Sequence, residues 1–342
     1  MQQDVAVFHQ ANQPLRLELQ PVPEPGEGEV LVRILASGVC DTDYRFSTLG
    51  IPWMQEPIIL GHQIAGVVEK VGSGATAVEK GDHVIVHFVV SCGQCPLCQK
   101  GQDHLCLNWK GVGAHIPGGF AQYVVVPERN VIPYSVTQLP PEQASLIPCG
   151  LGTPYRAVKQ ANIQSGDVVL IQRAWVWGLA TIQMCHQLGA RAVVLDDDDR
   201  RLALAREQGA DGTIDARSED LREVLASHAP IGADVVIDFT GDPQWVSRAA
   251  TLVRRGGRVV VVGRAGCFGE VNVDILNLMF GELVLTGACL ARRDEVEELT
   301  RMAVEGQFQL APLLTHRIQL IEINDGLAML EQPETLGVVI VP

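Results

Sequence analysis

Between residues 166 and 288, apolar segments alternate with helical ones. "DVVLIQ" precedes a helical pattern over 177–189, "RAVVLD" one over 199–209 and "ADVVIDFTG" one over 243–254, and "GGRVVVVG" and "ELVLTG" follow. Strands that are apolar along their whole length bury both faces, and strands each followed by a helix run parallel. The pattern predicts an α/β fold: a doubly wound parallel sheet covered by helices. Residues 1 to about 150 read differently. Short runs such as "EVLVRILASGV", "GHQIAGVVEKVGSG", "DHVIVHFVV" and "FAQYVVVPERNVI", broken by Gly and Pro, predict a compact β-rich domain. Helical segments over 293–305 and 323–331 and a last strand, "GVVIVP", end the chain.

At 342 residues the chain exceeds what one core usually fills, about 250–300 residues, so two domains are expected. With 47% hydrophobic and 19% charged residues it can bury both. A net charge of −14 repels nucleic acid and anionic membranes, which excludes both as partners. The start, "MQQDVAVFHQ", lacks a basic segment followed by an apolar run, and no apolar stretch is long enough to cross a bilayer. A cytoplasmic location is expected, where nine cysteines point to metal or catalysis before disulfides.

In "CGQCPLCQKGQDHLC", Cys92, Cys95, Cys98 and Cys106 are spaced Cys-x2-Cys-x2-Cys-x7-Cys. Four thiolates on tight loops satisfy the tetrahedral preference of Zn²⁺ and leave no open position, which marks a structural site. Four unrelated thiols, or an iron–sulfur cluster, are the alternatives.

This spacing, in a β-rich half ahead of a doubly wound domain, resembles the zinc-containing medium-chain dehydrogenase/reductase superfamily, in its alcohol dehydrogenase branch. "SGVCDTD", "GHQIAGVVEKVG", "GDHVIV", "GGFAQYVVVP", "CGLGTPYRAV" and "RRGGRVVVVG" follow in the family's order. The resemblance implies a GroES-like catalytic domain from residues 1–152 and 289–342, carrying the zinc lobe 92–106. A Rossmann-like nucleotide-binding domain, 153–288, is inserted between them. By the same resemblance, Cys40, His62 and Cys149 match three ligands of a catalytic zinc, making two zinc ions per chain. Three protein ligands leave a fourth position for a substrate oxygen. Thr42 matches a Ser or Thr that takes the alcohol's proton, and Asp43 a carboxylate that orients the ligand His. Gln63 stands where many relatives have Glu. Trp53 and Met54 lie in a loop that lines the substrate pocket in relatives. Of the remaining cysteines, Cys185 reads as core, and Cys267 and Cys289 have no assigned role.

The nucleotide-binding features are mixed. Asp196 ends the second strand, 18 residues after Gly178, where a carboxylate hydrogen-bonds the adenosine ribose and favours NAD over NADP. Thr153 matches a position beside the nicotinamide. The glycine-rich loop, however, reads "QRAWVWG", with Arg173 and Trp175 on its first two glycine positions, Trp177 beyond them and Gly178 alone retained. A non-glycine residue at positive φ costs about 1–2 kcal/mol, so the turn is expected to take another path, with the Trp175 indole in the diphosphate's place. Trp177 would project toward the nicotinamide pocket. Asp41 adds a carboxylate that would repel the diphosphate, and Val341 replaces an arginine that some relatives place on it.

These features imply a zinc-dependent alcohol dehydrogenase-like enzyme that interconverts an alcohol and a carbonyl with NAD(H). The alternative is a non-redox zinc Lewis-acid enzyme whose cofactor cleft is closed by Arg173, Trp175 and Trp177. The expected partners are a small-molecule alcohol or carbonyl and further copies of the chain, as a homodimer or homotetramer that uses 283–287 as its edge.

Overall fold

The computed structural model describes all residues from Met1 to Pro342, and the chain divides into two compact units. One comprises Met1–Gly152 and Leu290–Pro342, the other Thr153–Cys289.

The second unit is a six-stranded parallel sheet. Its strands, across the sheet, are Gly212–Asp215, Arg191–Asp196, Val168–Gln172, Ala233–Asp238, Val253–Val261 and Val284–Gly287. Numbered along the chain the order is 3-2-1-4-5-6, in which the strand order reverses beside the first strand and leaves a crevice at the carboxyl ends. All five residues of Val168–Gln172 are buried, as a central strand covered on both sides must be. Leu170, Val193, Leu195, Ile214, Val236 and Val259 form the core beneath, each contributing about 1.5–3 kcal/mol on burial. Helix starts are capped by Asp198, Asp220 and Asp242, whose carboxylates accept backbone N–H groups of the first turn, worth about 1 kcal/mol each. The strand Gly212–Asp215 and the helices Leu221–Ala226 and Ile275–Phe280 were not legible in the alternation. They are four to six residues long, too short to express a period.

In the first unit, the strand Glu29–Val39 organises a seven-stranded sheet. Its first half pairs with Tyr123–Pro127, its last residues pair with Gly337–Ile340, and its other edge runs antiparallel to Gln63–Val71. The last strand of the chain thus completes the sheet begun by its N-terminal part. Gly38 lies opposite Gln63, so Cys40, just after one strand, and His62, just before the other, leave the same end of the pair. No helix is long and apolar enough to cross a membrane.

Candidate functional site

The helix Asp41–Leu49 starts directly after the strand that delivers Cys40, with Cys40 as its N-cap. Asp43, in the first turn, is fully buried. One of its oxygens accepts the Cys40 N–H at 3.0 Å; the other accepts the Gly61 N–H at 3.2 Å and lies 3.1 Å from His62 Nδ1. Gly61 has φ 92°, and a Cβ there would meet the Phe120 ring at 2.6 Å, so the chain turns into His62 through a position only glycine fills. Asp43 therefore holds Nδ1 and leaves Nε2 for a metal. Cys149 arrives from far along the chain, in a fully buried π-helical turn, Ile147–Leu151. Its sulfur lies 4.0 Å from that of Cys40, and the ligating atoms of Cys40, His62 and Cys149 are all within 4.8 Å of one another.

This donor set fits zinc. Two Zn–S bonds of about 2.3 Å at a tetrahedral angle put the sulfurs about 3.8 Å apart, close to the spacing found. The electrostatics agree. Burial alone would push the His62 imidazolium down, but the Asp43 charge and hydrogen bond, with the Cys40 sulfur, outweigh it and lift its pKa to about 10. Cys40 is shifted up by its hydrogen bond to Cys149 and by burial. The place favours positive charge, and a divalent cation would replace several protons at once. Thr42 stands partly exposed in the same first turn. Gln63 is buried with its Oε1 unpartnered. Trp53 is half-exposed, stacked on His115 at 5.5 Å and edge-on to Phe46 and Trp109, while Met54 is buried. The Asp41 carboxylate pairs with Arg45 at 3.0 Å one helical turn on.

Cys92, Cys95, Cys98 and Cys106 form the second cluster, again with all ligating atoms within 4.8 Å. Backbone N–H groups of Cys92 and Asn108 point at the Cys106 sulfur, at 3.1 and 3.4 Å, and that of Cys95 at the Cys92 sulfur, at 3.3 Å. The Gln94 and Cys95 N–H groups hold the Cys92 pKa below the ordinary thiol range, and those of Cys98 and Leu107 lower that of Cys95 to about 6, while burial and the neighbouring sulfurs push Cys98 up to about 12. Of the remaining thiols, Cys185 is buried, Cys267 is partly exposed and Cys289 is exposed.

In the second unit, the turn after Val168–Gln172 corrects one expectation. Arg173 keeps the left-handed turn, with φ 88°, and takes no other path. Its N–H donates to Leu195 O at 2.9 Å and the next N–H, of Ala174, to Asp196 Oδ2 at 2.8 Å, so the neighbouring strand holds the turn in place. Gly178 packs against this turn; a Cβ there would lie 2.2 Å from the Arg173 carbonyl oxygen. Trp175 is the N-cap of the helix Val176–Gln187. The Arg173 guanidinium stacks 3.6 Å from its ring centroid, and those of Arg201 and Arg264 lie 5.4 and 5.2 Å away. Trp177 instead tilts against Phe239, at 5.9 Å. Asp196 is buried, and its other oxygen receives Asp198 N–H and Arg201. Thr153 is buried in the first turn of the helix Gly152–Ala161.

Beside the turn lies a cavity of about 130 Å³, lined by Gln172, Arg173, Asp196, Arg201, Thr240 and Arg264 among others. Gln172 is 1% exposed and neither end of its amide has a partner in the protein. The crevice thus keeps a carboxylate, an unanswered amide and a helix start, which suit the adenosine half of a dinucleotide. Sequence reasoning picked out Asp196 but missed Gln172, Arg201 and Arg264, which no local pattern distinguishes from ordinary strand and surface residues.

Comparison with known proteins agrees with both units. Residues 26–137 match the alcohol dehydrogenase GroES-like domain family, and residues 177–305 the zinc-binding dehydrogenase family. An L-threonine 3-dehydrogenase of Pyrococcus abyssi is 34% identical over 303 residues, 86% of each chain. Among solved structures, a zinc-binding dehydrogenase of Sinorhizobium meliloti 1021 bound to NADP superposes with a TM-score of 0.93 at 27% identity, covering all of both chains. An E. coli CFT073 alcohol dehydrogenase complexed with NADH gives 0.93 at 25% identity, covering 100% of this chain and 99% of that one.

Proposed function

The chain belongs to the zinc-containing medium-chain dehydrogenase/reductase superfamily and is an enzyme of that type, and on this premise we propose that it oxidises a secondary alcohol to a ketone with a nicotinamide dinucleotide as hydride acceptor. The observation that carries the reading is the buried convergence of Cys40, His62 and Cys149 around a place for one ion. Zinc there would polarise the substrate hydroxyl and NAD would take the hydride. Asp43 fixes the imidazole so that Nε2 faces the ion. Thr42, one residue before it, accepts the hydroxyl proton and passes it on toward solvent. Cys92, Cys95, Cys98 and Cys106 hold the second, structural ion. Asp196 and Gln172 receive the adenosine end, and Thr153 and Gly178 line the dinucleotide's path. A buried carboxylate at the ribose supports NAD over NADP, because a 2′-phosphate would meet like charge. The non-redox alternative has no support from the relatives, which are named dehydrogenases.

L-Threonine, a secondary alcohol, is the first substrate to try, given the relatives' activity. Zinc-loaded protein is incubated with NAD⁺ and L-threonine or simple secondary alcohols, and NADH is followed by its absorbance. Turnover that disappears in Cys40→Ser is expected. Failure to form NADH with any of them would overturn the assignment.

Two copies of the chain pair through the second unit. Val284–Gly287 is an edge strand bonded on one side only, with Val284 and Leu285 exposed. Beside it in the chain, Ile275, Leu276, Met279 and Phe280 are also exposed. An open apolar sheet edge is unstable against pairing, and a second identical edge satisfies it.

A further inference from the structure

We propose that the Trp175 indole is a place-holder for the dinucleotide's diphosphate, and that the cofactor binds by displacing it from the arginines it now occupies. The inference rests on the NAD-linked reading above and adds how this chain's own loop admits the ligand. A diphosphate at the first strand-to-helix turn sits at the helix start, where backbone N–H groups and the helix dipole favour negative charge. Here the N-cap residue is Trp175, and the guanidiniums of Arg173, Arg201 and Arg264 all lie within 5.4 Å of its ring centroid. Asp196 and Asp197 already answer Arg201, at 3.3 and 4.0 Å. Over the guanidiniums the electron-rich face of an indole is a weak partner; a diphosphate, with full charges and oxygens for bidentate pairing, is a far better one.

The same cavity carries a second observation that points to a ligand. It is about 130 Å³, below the roughly 300–1,000 Å³ of small-molecule pockets, so a dinucleotide requires the side chains over the turn to move aside. Its wall carries the buried Gln172 amide with both ends unpartnered, a group that costs stability until something hydrogen-bonds it. Arg201 stays committed to Asp196, to which it donates at 3.3 Å. Arg173, stacked closest on the ring, and Arg264, which also donates to the Thr240 carbonyl at 3.3 Å, are the pair that turn from the ring to the phosphates. The Arg173 backbone already has the left-handed conformation of a glycine-rich loop, so only side chains need to move.

Displacement lowers apparent affinity by the fraction of molecules in which the ring is already out of the way. The test compares ADP, adenosine and NADH on wild-type protein and on Trp175→Gly, by calorimetry and tryptophan emission. ADP and NADH are expected to bind Trp175→Gly about tenfold or more tighter than wild type, with adenosine unchanged. The emission change that ADP causes in the wild type is expected to be absent from the variant. Arg264→Gln, which leaves the turn's backbone intact, should weaken ADP and not adenosine, a measurement that stands even if Trp175→Gly fails to fold. Equal or weaker ADP binding by Trp175→Gly, or the same emission change with adenosine alone, would overturn the proposal. If NADH binds both proteins equally, this proposal alone falls. If neither binds any of the three probes, the NAD-linked reading falls with it.

Discussion

His62 Nδ1 lies 3.1 Å from Asp43 Oδ1, and the same carboxylate accepts the N–H groups of Cys40 and Gly61 on either side. One buried charge thus sets the position of one prospective ligand backbone and the ring orientation of another. Asp43→Asn keeps the shape but loses the charge. Zinc affinity at the Cys40, His62, Cys149 place should fall about 10- to 100-fold, measured by competition with a chelating dye. An unchanged affinity would mean that Asp43 only supports the backbone.

The two clusters are separate, so their metal contents should separate too. Wild-type protein is expected to carry two zinc ions per chain by elemental analysis, and Cys95→Ser one. A structural zinc site contributes folding free energy directly, about 10–16 kcal/mol in isolated zinc-finger peptides. In the variant, residues 92–106 should become the first site of proteolytic cleavage while the Cys40 centre keeps its ion. Two zinc ions retained in Cys95→Ser would refute the four-thiolate assignment.

Pairing through the edge strand predicts that a charge on it dissociates the assembly. Leu285→Lys places an ammonium on an exposed edge position, the device by which natural sheets block further pairing. Sedimentation should show the wild type as a dimer or a multiple of it and the variant as a monomer, with near-identical circular dichroism. A variant that sediments like the wild type would move the interface elsewhere.

His87 links stability to pH. It is 1% exposed with both ring nitrogens unpartnered; Asp103 lies 4.0 Å away and the charges of His104 and Arg293 face it. Burial, then Arg293 and His104, hold its pKa at about 3, against about 6.5 in the unfolded chain. The folded state therefore binds the fewer protons between those values. This contribution to stability is fully present above about pH 6.5 and is lost as pH falls toward 3, by about 1.4 kcal/mol per pH unit. Denaturant melts at pH 6.5 and 5.5 should show a shallower loss in His87→Leu than in the wild type. Parallel losses would mean that His87 does not titrate on unfolding.

Much of this molecule was legible before its structure. Apolar strands alternating with helices prescribe a parallel sheet because side-chain period and burial are local properties of a segment, and four clustered cysteines prescribe a metal because close spacing alone brings the thiols together. The short strand Gly212–Asp215 escaped because four residues carry no period. The Arg173 turn was misjudged because local strain was weighed without the hydrogen bonds from Arg173 to Leu195 and from Ala174 to Asp196 that hold it.

By itself, then, the sequence determined the two architectures and the kinds of ligand atom available. Tertiary structure alone decided which of them meet. Cys40 and Cys149 are 109 residues apart, and their convergence with His62 depends on the pairing of Gly38 with Gln63 and on a buried π-helical turn. The gathering of Arg173, Arg201 and Arg264 on Trp175 likewise needs the strands that precede them, the first, second and fifth of the unit, to end on one side of the same parallel sheet. Such contacts are set by the register and order of strands across the whole sheet, which no window of neighbouring residues contains.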